Sequence, residues 1–203
     1  MAGSAKGHKA ALGFQTHSGW ACAILAAGKG SDFEILHRAR VMLHDPVIEG
    51  TKQPFHTAEP MPFAEAEAYI SRCKAATATR ALEAVTGLRK TADGHGIRLS
   101  GVCVITASGR ALPDLRGILA SHALIHAAEG EFYREALLDA ADALGIKAAR
   151  LNRKDAAMQV AFLLGCGEQA LTKKLGDIGK RIGRPWTLDE KFATLAAWWV
   201  LAK

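Results

Sequence analysis

The sequence predicts a single α/β domain: a mixed sheet that begins with three antiparallel strands, continues with parallel strands and carries helices packed on its faces. Two observations support this prediction. Three apolar, β-compatible segments stand first, and from about residue 97 strand-like runs alternate with helical ones. A hairpin-like start followed by alternating β and α segments implies parallel later strands, because each helix returns the chain to the same end of the sheet.

Length and composition agree with one packed domain. The chain has 203 residues, of which 49% are hydrophobic and 23% charged, as in ordinary globular proteins and unlike disordered chains. We expect a single domain over 1–203, a flexible tail at 1–9, and C-terminal helices at 167–203 packed on the sheet.

The first three strands are separated by short breaks. Residues 10–25 are apolar and are interrupted at Ser18-Gly19, which predicts a hairpin, and residues 33–43 alternate as a third strand. Residues 45–62 contain four prolines, which donate no backbone hydrogen bond and restrict the preceding residue. We therefore expect a long irregular loop there.

The middle of the chain predicts one helix and one buried strand. Pro62 suits the start of a helix that is rich in Ala and Glu and closes near Gly87. Residues 97–106 are a short apolar run typical of a strand buried on both faces, and a Gly/Pro-containing loop follows at 107–114.

The last third of the chain predicts one strand among four helices. Gly145 ends the first of these helices, and Asn152 is placed to cap the second. The predicted elements are a helix at 119–144, a strand at 147–151, a helix at 154–164, a helix with Leu171, Leu175, Ile178 and Ile182 on one face, and a helix at 188–201.

The net charge of +6 permits a polyanionic partner, so nucleic acid or a nucleotide is a candidate ligand. Basic residues gather near the end of the chain, where they form either a phosphate-facing patch or an ordinary solvated helix face. They are Lys173, Lys174, Lys180, Arg181, Arg184 and Lys191.

Several function classes lack their sequence signature. The four cysteines lie tens of residues apart without zinc spacing, and neither a dinucleotide-binding glycine motif nor a phosphate-binding loop is present. No run of 18 apolar residues occurs, so we expect no membrane contact and a cytoplasmic location. The sequence assigns no cofactor and leaves a homo-oligomer open.

The long helix at 119–144 contains ionisable groups on its packing face. A helical wheel places His122, His126 and Glu129 on the same stripe as Tyr133, at positions i, i+4 and i+7. In a parallel β-α unit the start of the helix lies at the carboxyl end of the preceding strand, where α/β proteins bind ligands. We therefore expect the candidate site there.

Three interpretations of this stripe stay open. A carboxylate beside two imidazoles can bind a divalent metal, orient a histidine as a general base, or form an ion pair that only fixes packing. In the structural alternative, His122 and His126 are partly exposed and Glu129 pairs with a basic residue of the last helix.

Other polar residues follow strands or stand in the proline-rich loop, and we expect them to bind ligand together with His122. Each of them alone is equally consistent with an ordinary turn or loop. They are Gln15, His17, Ser18, Gln53, His56, Ser108 and Arg110.

Three segments resemble the ribonuclease-H-like superfamily, particularly the Holliday-junction resolvase and its YqgF-like relatives. They are ALGFQTHSGWA near the start, GVCVITASGRALPDLRG followed by HALIHAAEGEFYREALLDAADALGIKAARL in the middle, and TLDEKFATLAAWWVLA at the end. They follow the family's order over most of the chain. The resemblance implies a ribonuclease-H-like mixed sheet, and fold alone does not imply function.

The resemblance also shows that the family's catalytic residues are missing. In the family, an Asp on the first strand, a Glu on the central strand and an Asp on the last helix hold two Mg²⁺ ions. The matching positions here are Gln15, Thr106 and Lys191, unless Asp189 or Glu190 substitutes. An amide, a hydroxyl and an ammonium cannot hold two hard cations, so standard resolvase or ribonuclease H catalysis is not expected.

A second resemblance is to bacterial proteins of similar length that share three short patterns. S-G-W-A stands at 18–21, Q-P-[FY]-H at 53–56, and H-A-x-E-G-x-[FY] at 126–132. This resemblance implies that residues of the last two patterns form one site, namely Gln53, His56, His126 and Glu129.

The leading hypothesis is a ribonuclease-H-like protein without the two-metal centre that binds a phosphate-bearing or nucleic-acid ligand. Its central residues are His126 as proton carrier, Glu129, and Lys191, which neutralises Glu129 or contacts phosphate. Two alternatives stay open: a metal-dependent hydrolase of a small substrate with His122, His126 and Glu129 as ligands, and a non-catalytic interaction protein. Whether the protein is an enzyme also stays open.

Overall fold

The computed structural model describes residues 9–107 and 111–203. The predicted flexible tail, apart from Lys9, and the predicted ligand-binding residues Ser108 and Arg110 lie outside these ranges. The strands are β1 (Lys9–His17), β2 (Trp20–Lys29), β3 (Asp32–Met42), β4 (Leu99–Thr106) and β5 (Ala148–Asn152). The helices are α1 (Pro54–Ala58), α2 (Phe63–Gly94), α3 (Leu115–Leu119), α4 (His122–Ala143), α5 (Ala156–Leu163), α6 (Glu168–Ile182) and α7 (Leu188–Ala202).

The strands form one mixed sheet in the order β3-β2-β1-β4-β5. β1 pairs antiparallel with β2, and β2 pairs antiparallel with β3. β4 runs parallel to β1 and β5 parallel to β4. The predicted fold class, a mixed sheet with an antiparallel start and parallel later strands, is therefore confirmed.

Helices cover the sheet on both faces. One core contains Leu12 and Phe14 of β1 together with apolar residues of α2 and α4. The other contains Ile24 of β2 and Ile105 of β4 together with residues of α5, α6 and α7. Helices α4 and α7 thus lie on opposite faces. Across the described ranges no helix combines the length and the apolar character that a membrane span would need.

Helix α7 lies close against β1 because of a glycine. A Cβ atom added to Gly13 would stand 1.9 Å from the carbonyl oxygen of Ala193 and 2.5 Å from the amide nitrogen of Ala197. Only a residue without a side chain allows this approach. Gly13 therefore sets how closely the middle of α7 packs against the middle of β1.

The proline-rich segment differs from the prediction of an irregular loop, because α1 forms inside it. Pro54 occupies the first turn of α1, where its missing N–H costs nothing and its fixed φ favours the helix. Phe55 is buried with Ile125 and Ala128 of α4. Tertiary packing therefore stabilises a helix that is too short to persist alone.

Two helix boundaries also differ from the prediction. α2 continues past Gly87 to Gly94, since Leu88 and Ala92 extend its buried face and outweigh the roughly 1 kcal/mol that a helical glycine costs. The predicted helix at 119–144 corresponds to α4, which begins only at His122, and the separate short helix α3 precedes it. Asp114 caps α3 by accepting a hydrogen bond from the amide of Gly117.

Candidate functional site

The three residues of the predicted stripe lie on α4 at the carboxyl edge, which is the edge of the sheet where β1, β4 and β5 end. His122 and His126 are in the first two turns of α4 and are exposed. Glu129, one turn further, is only 4% exposed. The stripe therefore passes from solvent into the core within two turns, and the prediction that all three side chains face the packing interior is wrong for the two histidines.

Glu129 binds the first turn of α1. Its Oε1 accepts hydrogen bonds from the amides of Phe55 (2.8 Å) and His56 (3.1 Å) and lies 3.2 Å from Nδ1 of His56. Gln53, at the N-cap position of α1, forms no side-chain cap. A carboxylate from α4 thus satisfies two amides that a capping residue would otherwise satisfy.

The environment of Glu129 acts on its pKa in two directions. Burial raises the pKa, while the hydrogen bonds from His56 and Phe55 lower it, and burial is the larger effect. Its second oxygen, Oε2, is buried and has no hydrogen-bond partner among the described residues. Glu129 is therefore a buried acid that is satisfied on one oxygen only.

His56, His122 and His126 form a compact group, the histidine cluster. Their ring centroids are 5.3 Å (His56 to His122), 4.7 Å (His56 to His126) and 4.6 Å (His122 to His126) apart, and the rings meet edge to face. Nε2 of His122 lies 3.1 Å from Nε2 of His126. One potential ligand atom from each ring falls within 4.8 Å of the others.

The structure does not bring Lys191 to Glu129. Lys191 is on α7, which packs on the face of the sheet opposite α4, and the basic partner of Glu129 is His56. The predicted constellation of His126, Glu129 and Lys191 is therefore divided between the two faces. Ser18 is exposed in the turn between β1 and β2, and Gln53 is exposed before α1.

Two of the predicted site residues, His17 and Gln15, lie on the α7 face of the carboxyl edge, and His17 contacts the first turn of α7. Nε2 of His17 lies 3.0 Å from Oδ1 of Asp189. Gln15 is buried and its Nε2 donates to the carbonyl of Thr16, while its Oε1 has no hydrogen-bond partner in the part of the chain that the structure describes. Gln15 and His17 are two residues apart on β1, so both side chains point toward this face.

The carboxylate of Glu190 belongs to the local structure of α7. It accepts a hydrogen bond from the amide of Thr187 (2.7 Å) in a capping box, and the Thr187 hydroxyl accepts from the amide of Asp189. Burial alone would raise the pKa of Glu190, but the hydrogen bonds from Thr187 outweigh it and hold the pKa below its ordinary value. Glu190 is thus occupied in capping the helix.

Two arginines at the carboxyl edge lie over aromatic rings. Cζ of Arg40 is 3.8 Å from the ring centroid of Trp20, and Cζ of Arg153 is 4.4 Å from that of Phe192. His17 stacks on Trp20 as well, with centroids 4.4 Å apart and planes inclined by 13°. Because β1 and β3 flank β2, the indole of Trp20 lies between His17 and Arg40.

A cavity of about 820 Å³ opens between β4, β5 and α4. His126 and Thr106 line it, together with Arg134 and Arg150. Both arginines are neutralised: Arg134 pairs with Glu131, and Arg150 pairs with Glu131 and Glu135. Burial alone would raise the pKa of Glu131, but these arginines outweigh it and lower the pKa. This cavity therefore contains charged groups but offers little net positive charge.

Sequence reasoning missed Trp20, Arg40, Arg153 and Glu59 as site residues. Nδ1 of His122 lies 4.0 Å from Oε1 of Glu59, the residue that ends α1. A short-range signal existed for Trp20, which stands within the S-G-W-A pattern. No local pattern relates Arg153 to Phe192, since these residues meet only when α7 packs beside the end of β5.

The chain matches no protein-family profile and no curated protein sequence. Among solved structures, it is similar to Thermus thermophilus RuvC in complex with a Holliday junction substrate, with a TM-score of 0.51 and 17% identity over 94% of this chain and 92% of that one. A second Thermus thermophilus RuvC structure gives a TM-score of 0.49 and 16% identity over 94% and 92% of the two chains. At this identity the likeness shows the fold, a ribonuclease-H-like α/β fold.

Proposed function

We propose that the protein binds a nucleic acid along the carboxyl edge of its sheet, on the α7 face, without a standard two-metal nuclease centre. The observation that supports this most is the pair of exposed arginines, Arg40 and Arg153, that lie over aromatic rings at this edge. A guanidinium held over a ring is restricted in orientation and keeps its charge available to phosphate.

The charge at this edge suits an extended polyanion. Lys154 is exposed beside Arg153, and Lys191 is half-buried in the first turn of α7. Within the ranges 9–107 and 111–203, neither these two lysines nor the arginines Arg40 and Arg153 pair with a carboxylate. Cations without internal partners are free to replace the counterions of a phosphate backbone.

The flat groups at this edge favour unpaired bases. Arginine planes and aromatic rings stack on bases that are not stacked in a duplex, and this contact tolerates any sequence. His17, Trp20 and Arg40 already form such a stack, of which Arg40 is the exposed end. We therefore infer a preference for single-stranded or branched nucleic acid over uninterrupted duplex. The RuvC structure to which the fold is similar is bound to a Holliday junction substrate.

The residues at the centre of this edge argue against two-metal chemistry. Gln15 and Thr106 supply neutral oxygens, Asp189 lies against His17, and Glu190 caps α7. Two hard divalent cations need several anionic oxygens converging on one point. In the part of the chain that the structure describes, the carboxylates do not form such a group.

Binding of labelled oligonucleotides at low salt, followed by fluorescence anisotropy, tests the proposal with single-stranded, duplex and four-way-junction DNA. We expect the single strand and the junction to bind more tightly than the duplex. R40A and R153A should each raise Kd about 5- to 30-fold, as loss of a stacking or phosphate contact does. Absence of binding to all three substrates would contradict the proposal.

R98A is the matched control, because it removes the same side chain at the opposite edge of the sheet. Arg98 is exposed and directly precedes the start of β4. Measured at 0.1 M salt, R98A should change Kd less than about 2-fold, because β4 separates Arg98 from this edge by about 26 Å and the Debye length is then about 10 Å. An equal loss in R98A and R40A would show that only net charge matters and would overturn the assigned edge.

A further inference from the structure

The histidine cluster contains three imidazoles that contact one another. His122 and His126 are at positions i and i+4 of α4, a spacing that presents two imidazoles to one metal ion on a helix face. His56 approaches them from α1, its ring 4.7 Å from that of His126. Two separate helices therefore direct their imidazoles to a common point.

Packing does not explain this convergence. The side chain of His122 is 65% exposed, and His126 is also exposed, so neither ring fills a core. The Nε2 atoms of His122 and His126 lie 3.1 Å apart. At that distance either one ring donates its Nε2–H to the other, as one tautomer allows, or a cation binds both nitrogens.

Carboxylates lie behind two of the three rings. Oε1 of Glu129 is 3.2 Å from Nδ1 of His56, and Oε1 of Glu59 is 4.0 Å from Nδ1 of His122. A histidine that ligates a metal ordinarily donates its other N–H to a carboxylate, which fixes the ring and its tautomer. The contact with Glu129 leaves Nε2 of His56 for the common point, whereas Glu59 is too far from His122 for a hydrogen bond and only places a carboxylate on its Nδ1 side.

An ion pair between His56 and Glu129 alone would account for only part of the arrangement. It explains neither His122 nor His126, which make no contact with Glu129 among the described hydrogen bonds. When ionised, the buried Glu129, whose Oε2 has no hydrogen-bond partner among the described residues, also places negative charge behind the cluster. That charge would balance a cation in front of His56.

We propose that His56, His122 and His126 bind one first-row transition-metal ion, such as Zn²⁺, through their Nε2 atoms. In a tetrahedral zinc site with Zn–N bonds of about 2.0 Å the ligand nitrogens are about 3.3 Å apart. The potential ligand atoms here lie within 4.8 Å, so small side-chain rotations complete the site. Imidazole suits Zn²⁺, Cu²⁺ and Ni²⁺, whereas Mg²⁺ and Ca²⁺ prefer oxygen.

Three protein ligands leave one coordination position open. His122 and His126 are exposed, and His126 also lines the 820 Å³ cavity, so this position is accessible to solvent and to an anionic oxygen. Closed structural zinc sites use four protein ligands, whereas sites that bind a further ligand use three. The proposal does not depend on the nucleic-acid site, which lies on the other face of the sheet.

The test is calorimetric titration of tag-free protein with Zn²⁺, in the absence of nucleic acid, together with the visible absorption spectrum of the Co²⁺-loaded protein. We expect one ion per chain and a Co²⁺ spectrum of tetrahedral type. H122A and H126A should weaken Zn²⁺ affinity at least 100-fold. Because both side chains are exposed, the thermal unfolding of the metal-free variants should match that of the wild type.

H37A is the matched control, since His37 is exposed on β3 outside the cluster. It should leave the affinity unchanged. E129Q keeps an oxygen acceptor at the amides of α1 but weakens the contact to Nδ1 of His56, and should reduce affinity about 10- to 100-fold while the tetrahedral Co²⁺ spectrum persists. Sub-stoichiometric binding, or equal affinity in H126A and the wild type, would overturn the proposal.

Discussion

The two faces of the sheet present different polar regions at the same carboxyl edge. On the α4 face, three imidazoles converge and the carboxylates Glu59 and Glu129 lie behind them. On the α7 face, His17 contacts the carboxylate of Asp189 directly, and cations are spread along the surface. The α4 face therefore concentrates imidazole nitrogens at one point, whereas the α7 face distributes positive charge along the surface.

This difference indicates different ligands. Convergent nitrogens without an internal cation favour a small positive ion, because imidazole lone pairs bind it at one point. Dispersed arginines over Trp20 and Phe192 favour a long anion, because each cation contributes one contact along a backbone. The same edge of one fold can thus serve two chemistries that share no residue.

The largest expected difference between the regions is in stability. E129A should lower the free energy of unfolding by about 2–3 kcal/mol, since the amides of Phe55 and His56 lose their acceptor in a buried position. Urea denaturation in the presence of a chelator measures this without a metal contribution. E59A, which removes an exposed carboxylate from the same region, is the control and should cost less than about 0.5 kcal/mol. Equal effects would contradict the capping role of Glu129.

A smaller effect is expected from the carboxylate that caps α7. E190Q should cost about 1 kcal/mol at neutral pH, since it weakens the capping box with Thr187. Because the pKa of Glu190 is below its ordinary value of 4.5 in the folded state, its contribution is present above pH 4.5 and is lost as the pH falls further. The stability curves of E190Q and the wild type should therefore converge below pH 4.5. Parallel curves would contradict this assignment.

The smallest effect is expected from the ion pair on the α7 face. A double-mutant cycle with H17A and D189A should give a coupling energy of about 0.5 kcal/mol at pH 6, and less at high salt, since both side chains are partly exposed. Chemical denaturation at two salt concentrations measures it. A coupling above about 2 kcal/mol would mean that this pair, like Glu129, is a buried structural contact.

Local patterns predicted the mixed sheet, with its antiparallel start and parallel later strands, and the alignment of the α4 stripe. Residues i, i+4 and i+7 lie along one side of any α-helix, so the spacing alone aligns His122, His126 and Glu129. The structure shows them in successive turns of α4. The spacing did not indicate the point along α4 at which the stripe passes from buried to exposed residues. That point depends on α1, a short helix within a proline-rich segment that forms only by packing on α4.

Lys191 shows why the rest of the site could not be predicted. Strands such as β4 are apolar on both faces, so their pattern does not tell which helix covers which face. Lys191 and Glu129 were both expected near the carboxyl edge, and both are near it, but with the sheet between them. The contacts of Arg40 with Trp20 and of Arg153 with Phe192 likewise depend on strand pairing and helix docking.

The most direct test of the account is the salt dependence of single-stranded DNA binding. Wild-type log Kobs should fall linearly with log salt, and the double variant R40A/R153A should have a slope smaller in magnitude by about 1.4, since each lost phosphate contact on a single strand removes about 0.7. H122A/H126A, on the other face, should keep the wild-type slope. An unchanged slope in R40A/R153A, or an equal change in H122A/H126A, would contradict the assignment of nucleic-acid binding to the α7 face.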